Sequence, residues 1–329
     1  MVPIDASQLL NTMSANSSAF VVVTPVFEDA EASSRLFQEL ATIFGSKVHV
    51  VAVDDGSVRQ PVDIGRLNAA GLGGTVIRLR RNVGHQRAIA VGLSYVADHM
   101  ATMPVVVMDS DGEDVPASIS ELLRGLDSSE VDLVVAQRKT RVESLRFKAF
   151  YAVYKRLFKL LTGRQISFGN FMALKPSAVK RLAAMQELWT HVASCVLNSR
   201  LRVVTCALDR GPRYAGKSKM NFVGLALHGF RGVMVFAEDV LVRVGIASTL
   251  MGALAIVAGL ASVVLKLSGF ATPGWFSVAL GILLLVFLQT GSLALMSLML
   301  TGVSKSGAPA QAAYELFVES VERTDCVPA

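Results

Sequence analysis

Short apolar runs alternate with helical patterns through the first two thirds of the chain. Phe20 to Thr24, Val48 to Val53, Val76 to Leu79, Val105 to Met108 and Val131 to Ala136 have strand length and β-branched character. Helical spacing fills about Ala32 to Phe44 and His85 to Met100. Strands alternating with helices predict an α/β fold, a doubly wound, mostly parallel sheet with flanking helices. Towards the C-terminus the pattern changes. Val244 to Leu265 and Gly274 to Leu300 are uncharged runs of roughly 22 and roughly 27 residues, each long enough to cross a hydrocarbon core. The turn from Leu267 to Pro273 only reverses the chain, so the prediction is a C-terminal transmembrane helical hairpin. The chain then divides into a flexible lead-in (1–18), an α/β domain (19–220), an interfacial amphipathic helix (221–242), two transmembrane helices (243–301, the spans about 244–265 and 274–300) and a tail (302–329).

Acid follows the apolar runs. Val105 to Met108 breaks into Asp109-Ser110-Asp111-Gly112-Glu113-Asp114, and Val53 into Asp54-Asp55-Gly56-Ser57. Residues i and i+2 of a strand share a face, so Asp109 and Asp111 aim two carboxylates into one volume. Their repulsion is relieved by Mg²⁺ or Mn²⁺, which take oxygen ligands, and Glu113 can supply a third oxygen. The plain alternative is a solvated acidic turn before a helix, which Asp114 and Pro116 also suit. In open α/β sheets ligands collect beyond the carboxyl ends of strands. Thr24-Pro25-Val26, Asp54-Asp55 and Asp109-Ser110-Asp111 all sit at such ends, which points to one shared site.

Charge and composition sharpen the membrane reading. The chain is 52% hydrophobic with a mean hydropathy of +0.48. Four of its 32 Lys and Arg and four of its 26 Asp and Glu lie beyond residue 240, so the net charge of +6 belongs to the N-terminal part. The positive-inside rule then puts that part, and both termini, in the cytoplasm of an inner-membrane, multi-pass protein. No signal peptide is expected at the N-terminus. Cys195, Cys206 and Cys326 show no CxxC spacing, which suits a reducing compartment and disfavours a zinc site. No Walker A segment or Gly-x-Ser-x-Gly elbow occurs, and Gly71-Leu72-Gly73-Gly74 precedes a strand where a dinucleotide fingerprint would follow one. His49, His85, His99, His191 and His228 lack metal-ligand spacing and are expected to be mostly structural or surface residues.

Thr24-Pro25-Val26-Phe27-Glu28, Val53-Asp54-Asp55-Gly56-Ser57, Arg80-Arg81-Asn82-Val83-Gly84 and Asp109-Ser110-Asp111, in that order, resemble the family 2 glycosyltransferases of GT-A fold. With two C-terminal spans, the chain more closely resembles the polyprenyl-phosphate glycosyltransferases, such as dolichol-phosphate mannose synthase and the bacterial undecaprenyl-phosphate sugar transferases. The resemblance covers roughly residues 20 to 220, and the hairpin by architecture. It implies that Thr24, Pro25, Glu28, Asp54, Asp55 and Arg80 bind the nucleotide-sugar donor. Where many relatives carry Gln, this chain has Glu113. A Gln-x-x-Arg-Trp motif is missing, which favours transfer of one sugar over chain growth.

Two basic segments complete the picture. Gln137 to Arg164 holds nine Lys or Arg against the single acid Glu143. On a helical wheel, Phe147, Phe150, Tyr151, Tyr154, Leu157, Phe158 and Leu161 share one arc and Lys148, Lys155, Arg156 and Lys159 the other. That pattern suits a helix lying in the bilayer interface or, equally, one packed on the sheet with a solvated basic face. Either places Arg138 at the end of the fifth strand. Arg213-Tyr214-Ala215-Gly216-Lys217-Ser218-Lys219 resembles the family's Arg-x-x-Gly-x-Ser-Lys segment, which implies that Arg213, Lys217, Ser218 and Lys219, with Arg138, hold the acceptor phosphate. The expectation is a metal-dependent, inverting transfer of one sugar to polyprenyl phosphate, with Asp109, Asp111 and Arg138 in the chemistry and Asp114 or Glu113 as base if the acceptor is a hydroxyl. Alternatives are transfer to another lipid or membrane-linked glycan and a non-catalytic nucleotide-sugar-binding membrane scaffold. No nucleic-acid partner is expected, and a homo-oligomer stays open.

Overall fold

The computed structural model describes residues 20–100, 102–138, 145–214, 222–270, 274–306 and 314–324. Eight strands form one sheet: β1 (Phe20–Val26), β2 (Val48–Asp54), β3 (Gly73–Leu79), β4 (Val105–Val107), β5 (Leu133–Arg138), β6 (Met172–Leu174), β7 (Val203–Leu208) and β8 (Val318–Arg323), in the order β7-β5-β6-β4-β1-β2-β3-β8. β1 pairs in parallel with β2 and β4, β2 with β3 and β5 with β7, while β6 and β8 run antiparallel to their neighbours. The sheet is therefore mostly parallel, the α/β arrangement that the GT-A resemblance implies. All seven residues of β1 are buried, as a strand covered on both faces requires.

Helices cover both faces. Leu36, Phe37 and Leu40 of α1 (Ala30–Phe44) pack with Val22, Val50, Ala52 and Met108 on one side, followed in the chain by a short α2 (Ile64–Ala69). Ile89, Leu93 and Val96 of α3 (His85–His99) pack with Val21, Val23, Val51 and Ile77 on the other. The order reverses at β1, with β2 on one side and β4 on the other, so the crevice lies beyond their carboxyl ends. β5 is parallel to β4 through the intervening antiparallel β6, so β5 and β7 also end at this edge.

The hydrophobic pattern predicts five strands, and β6, β7 and β8 extend that set. β8 lies in the segment read as a tail, yet it completes the sheet edge beside β3. Tyr314 is buried edge-on against Tyr95, Phe317 stacks on Trp189, and Thr324 exchanges 3.0 Å hydrogen bonds with Gly74. The 221–242 segment also differs from a single helix: α8 (Phe222–Met234) stops, and a new helix begins at Ala237. The compact unit that holds the sheet comprises residues 1–152, 165–235 and 311–329. The lead-in 1–18 lies outside the described residues.

The second unit spans residues 153–164 and 236–310. The basic helix α5 (Leu145–Thr162) divides between the two units, and the sheet domain is completed by α4 (Ile119–Arg124), α6 (Pro176–Ala183) and α7 (Val192–Asn198). The hairpin consists of α9 (Ala237–Leu267) and α10 (Trp275–Ser306), two helices long and apolar enough to cross a membrane. Its packing is inverted relative to a water-soluble core. The buried positions of α9 are Ser248, Gly252, Ala255 and Ser262, facing residues such as Thr290 and Ser297 of α10, while Leu250, Leu254, Val257 and Leu260 are exposed. Small residues at the seam let the two backbones approach, and the hydroxyls of Ser262, Thr290 and Ser297 bond carbonyls four residues back.

Candidate active site

Three carboxylates knit together the loops beyond β1, β2 and β3. Glu28, at φ 47°, donates its backbone N–H to Ser57 Oγ, and its carboxylate accepts from the N–H groups of Val58, Arg59 and Gln60. Those bonds hold its pKa below the usual carboxylate value. Asp54 is fully buried, with Oδ1 accepting from Ser57 N at 2.8 Å and Oδ2 from Val62 N at 2.9 Å. Asp55 accepts from Val83 N and Gly84 N at the start of α3, where helix N-terminal N–H groups favour an anion. Burial nonetheless pushes the Asp55 pKa up to about 6, against the pull of those two bonds. Gly56 permits the closeness of these loops: at φ 71° a Cβ would stand 2.4 Å from the Arg81 carbonyl carbon.

The acid loop after β4 is paired with a basic loop after β7. Asp109 N donates to Asp114 Oδ2, and Glu113 N donates to Asp111 Oδ1, closing a tight turn. Arg213 reaches both remaining acids, Nη2 to Asp111 Oδ2 at 2.8 Å and Nε to Glu113 Oε1 at 3.0 Å. Arg210 pairs with Glu113 Oε2. The two backbones are also joined, Gly211 N to Glu113 O at 3.0 Å and Tyr214 N to Asp111 O at 2.8 Å. Gly112 (φ 88°) is required beneath Tyr214, whose ring would lie 2.7 Å from an added Cβ.

Asp111 and Glu113 thus hold positive charge, as a hard-cation site should. Among the described residues, however, no group of three His, Cys, Asp or Glu is placed to hold a metal ion, so Asp109, Asp111 and Glu113 do not form a three-carboxylate cage. The donor set fits Mg²⁺ or Mn²⁺ with fewer protein ligands, since Mg²⁺ usually keeps waters and substrate oxygens beside one or two carboxylates.

Near the start of α3, three imidazoles cluster. His191 Nδ1 accepts from Ser194 N, so the His191 proton sits on Nε2 and is donated to His228 Nε2 at 3.1 Å. The His228 proton is then on Nδ1, and His85 lies beside that ring at a centroid distance of 5.5 Å. Burial lowers all three pKa values, His191 to about 3 and His228 to about 4. A folded value depressed below 6.5 means stability present above pH 6.5 and lost as pH falls. The first proton taken up by the His191–His228 pair should cost about 2 kcal/mol between pH 6.5 and 5. His49, lowered to about 4 by burial, has the same sign, while Asp55 has the opposite sign and offsets about 1.4 kcal/mol between pH 6 and 5. The melting temperature should therefore fall between pH 7 and 5, and His228→Gln should flatten the fall. An unchanged slope in that variant would remove the pair as its cause.

The expected site residues thus fall into two groups at one sheet edge. Thr24 and Pro25 lie on β1, where Thr24 is fully buried and its Oγ1 has no partner among the described residues. Arg80 is exposed at the end of β3 and donates its backbone N–H to Phe317 O. Arg138 ends β5 at the same edge. Lys217, Ser218 and Lys219 lie outside the described residues. Sequence reasoning missed Arg210, whose only signal is a cation three residues before Arg213. It also missed Gln86, which accepts from Val192 N and donates to Asn170 Oδ1, bracing α3 against α7.

The sequence model described as Glycosyl transferase family 2 matches residues 21–188, from the second residue of β1 through β6, and includes both carboxylate groups. The chain belongs to this family. Undecaprenyl-phosphate 4-deoxy-4-formamido-L-arabinose transferase of Edwardsiella ictaluri (strain 93-146) is 25% identical over 211 residues, covering 62% of this chain and 63% of the relative. Dodecaprenyl-phosphate galacturonate synthase of Rhizobium johnstonii (strain DSM 114642 / LMG 32736 / 3841) is 25% identical over 210 residues, 60% of each chain. The matches thus span less than two thirds of these two relatives. An uncharacterized Bacillus subtilis (strain 168) glycosyltransferase, YkoT, is 22% identical over 289 residues, covering 84% of this chain and 85% of the relative. Glucosyl-3-phosphoglycerate synthase from Mycobacterium tuberculosis, solved with Mn²⁺, uridine-diphosphate-glucose and phosphoglyceric acid, has a TM-score of 0.49 at 16% identity, covering 74% of this chain and 85% of that one.

Proposed function

We propose that this family 2 glycosyltransferase is a membrane-anchored, inverting enzyme that moves one sugar from a nucleotide-diphosphate donor to polyprenyl phosphate on the cytoplasmic face. The observation that carries the reading is the pairing of the acid loop 109–114 with the basic loop 209–214, opposite charges concentrated where β4 and β7 end. A scaffold has no need of that arrangement. An acceptor phosphate oxygen attacks the anomeric carbon as the bond to the donor diphosphate breaks, and the nucleoside diphosphate leaves with the bonding electrons. Bound at Asp109 and Asp111, a divalent ion would supply Lewis-acid stabilisation of that leaving group. Glu28, Asp54 and Asp55 order the loops around the nucleoside, with Thr24, Pro25 and Arg80 beside them. Arg138, Arg213, Lys217, Ser218 and Lys219 receive the acceptor phosphate. A phosphate monoester with a second pKa of about 6 is already anionic, so no strong base is required.

Polyprenyl phosphate as acceptor is supported by the activities for which the two transferase relatives are named and by the hairpin's exposed apolar surface. In α5, Val153, Leu157 and Leu160 are exposed beside Lys155, Arg156 and Lys159, a composition suited to an anionic bilayer surface. The chain leaves the sheet domain before α9 and returns to it as β8, so the hairpin would cross an even number of times. Cysteine labelling should find the 269–274 turn outside and a cysteine at Ser218 inaccessible to an impermeant external reagent.

The test of donor against acceptor roles is a pair of variants. Arg213→Ala with Lys217→Ala should weaken polyprenyl-phosphate binding about tenfold to a hundredfold per residue while donor affinity holds, because charge-assisted hydrogen bonds are worth roughly 1.5 to 3 kcal/mol. Asp54→Ala should do the reverse. Calorimetry with donor and acceptor titrated separately reads both. Loss of donor affinity alone in the double variant would put the nucleotide diphosphate under this loop.

A further inference from the structure

Arg213 spans two acids whose oxygens are otherwise accounted for. Asp111 Oδ1 is committed to Glu113 N, so an incoming cation at Asp111 meets Oδ2, the atom Arg213 Nη2 occupies at 2.8 Å. Glu113 is divided differently: Oε1 faces Arg213 and Oε2 faces Arg210, so it keeps a cationic partner even if Arg213 leaves. The backbones need not move for this. Gly211 N and Tyr214 N stay bonded to the acid loop, Arg35 Nη1 holds Tyr214 O at 2.9 Å, and Tyr214 covers Gly112. Only the torsions of one Arg side chain separate the two arrangements.

We infer that Arg213 is an exchangeable counter-cation of the acid loop, closed on Asp111 without a divalent ion and released towards phosphate when one binds, while Glu113 tethers Arg210 and ligates no metal. This rests on the metal reading above. Charge supplies the reason. A divalent ion at Asp109 and Asp111 would take up the Asp111 charge that Arg213 Nη2 now faces at 2.8 Å, leaving Arg213 without its closest acid. The Arg213–Asp111 pair is partly solvent-exposed, at 28% and 15%, so its hold is one a divalent ion can displace. The exchange makes cation binding and phosphate capture successive uses of one residue. Reciprocally, Arg213 weakens cation binding in the resting protein.

Mn²⁺ binding to the full-length detergent-solubilised protein, measured by electron paramagnetic resonance without nucleotide, tests it. Arg213→Ala should tighten Mn²⁺ about fivefold, the scale of a partly exposed ion pair, whereas Arg210→Ala and Glu113→Gln should stay within about twofold. In the wild type, Mn²⁺ should raise the reactivity of Arg213 towards phenylglyoxal, read by mass spectrometry, and leave that of Arg210 unchanged. Equal tightening by both Arg variants would mean generic charge removal and overturn the exchange. A tenfold loss in Glu113→Gln would make Glu113 a ligand and overturn the tether. Mn²⁺ binding with Arg213 reactivity unchanged would overturn this inference alone; no Mn²⁺ binding in any variant would overturn the metal reading with it.

Discussion

Asp111→Asn should lower sugar transfer by about 10²- to 10³-fold, the scale of losing one preorganised electrostatic contact to a developing anion. The substitution is chosen to separate charge from shape. Asn Oδ1 can still accept from Glu113 N, so the turn at Gly112 and the Tyr214 contact survive. What disappears is the charge that faces Arg213 and would face the metal. With the site partly exposed, stability should change by no more than about 0.5 kcal/mol, or roughly 2 °C in melting temperature. Radiolabelled transfer to polyprenyl phosphate, with and without chelator, reads the effect. If neither chelator nor Asp111→Asn changes the rate, the metal does not sit here.

Deleting residues 314–329 should abolish the folded sheet domain, although the deletion leaves every acid and base of the candidate site in place. It strips β8 from β3, uncovers the Tyr95 and Trp189 rings, and removes the Thr324–Gly74 bonds. Burying a Tyr or Phe side chain contributes roughly 1.5–3 kcal/mol, so losing Tyr314 and Phe317 alone approaches the 5–15 kcal/mol on which a whole domain stands. The bared β3 edge is also a template for aggregation. Size-exclusion chromatography and thermal melting of the truncated chain should show aggregated or unfolded protein. A monodisperse product with unchanged melting would demote β8 to decoration. The milder variants Tyr314→Ala and Phe317→Ala should lower the melting temperature in steps.

Much of this was legible before any coordinates. Val21 to Val23, Val50 to Val53 and Val105 to Val107 could only be buried parallel strands, because their apolar runs leave no face for water. The acids that follow them were legible as a crevice, because the ends of such strands are where an α/β sheet opens. The hairpin declared itself through length and lack of charge, since the bilayer imposes both.

Other features depended on contacts distant in sequence. β8, with charges at Glu319, Glu322 and Arg323, carries a weak strand pattern, and it is a strand because β3 offered an unpaired edge more than 230 residues earlier. The break at 235–236 falls within an apolar segment that reads as continuous in one dimension. The acids at 109–114 had a local meaning, but their partners did not: Arg210 and Arg213 lie about 100 residues away and arrive only because β7 pairs in parallel with β5 and ends at the same edge. Sequence alone determined the α/β class, the membrane-length hairpin and the chemical types gathered at strand ends, because periodicity and burial are local consequences of composition. The tertiary structure decided which cation faces which acid and which strand closes the sheet, because ion pairing and edge pairing are settled by proximity in space.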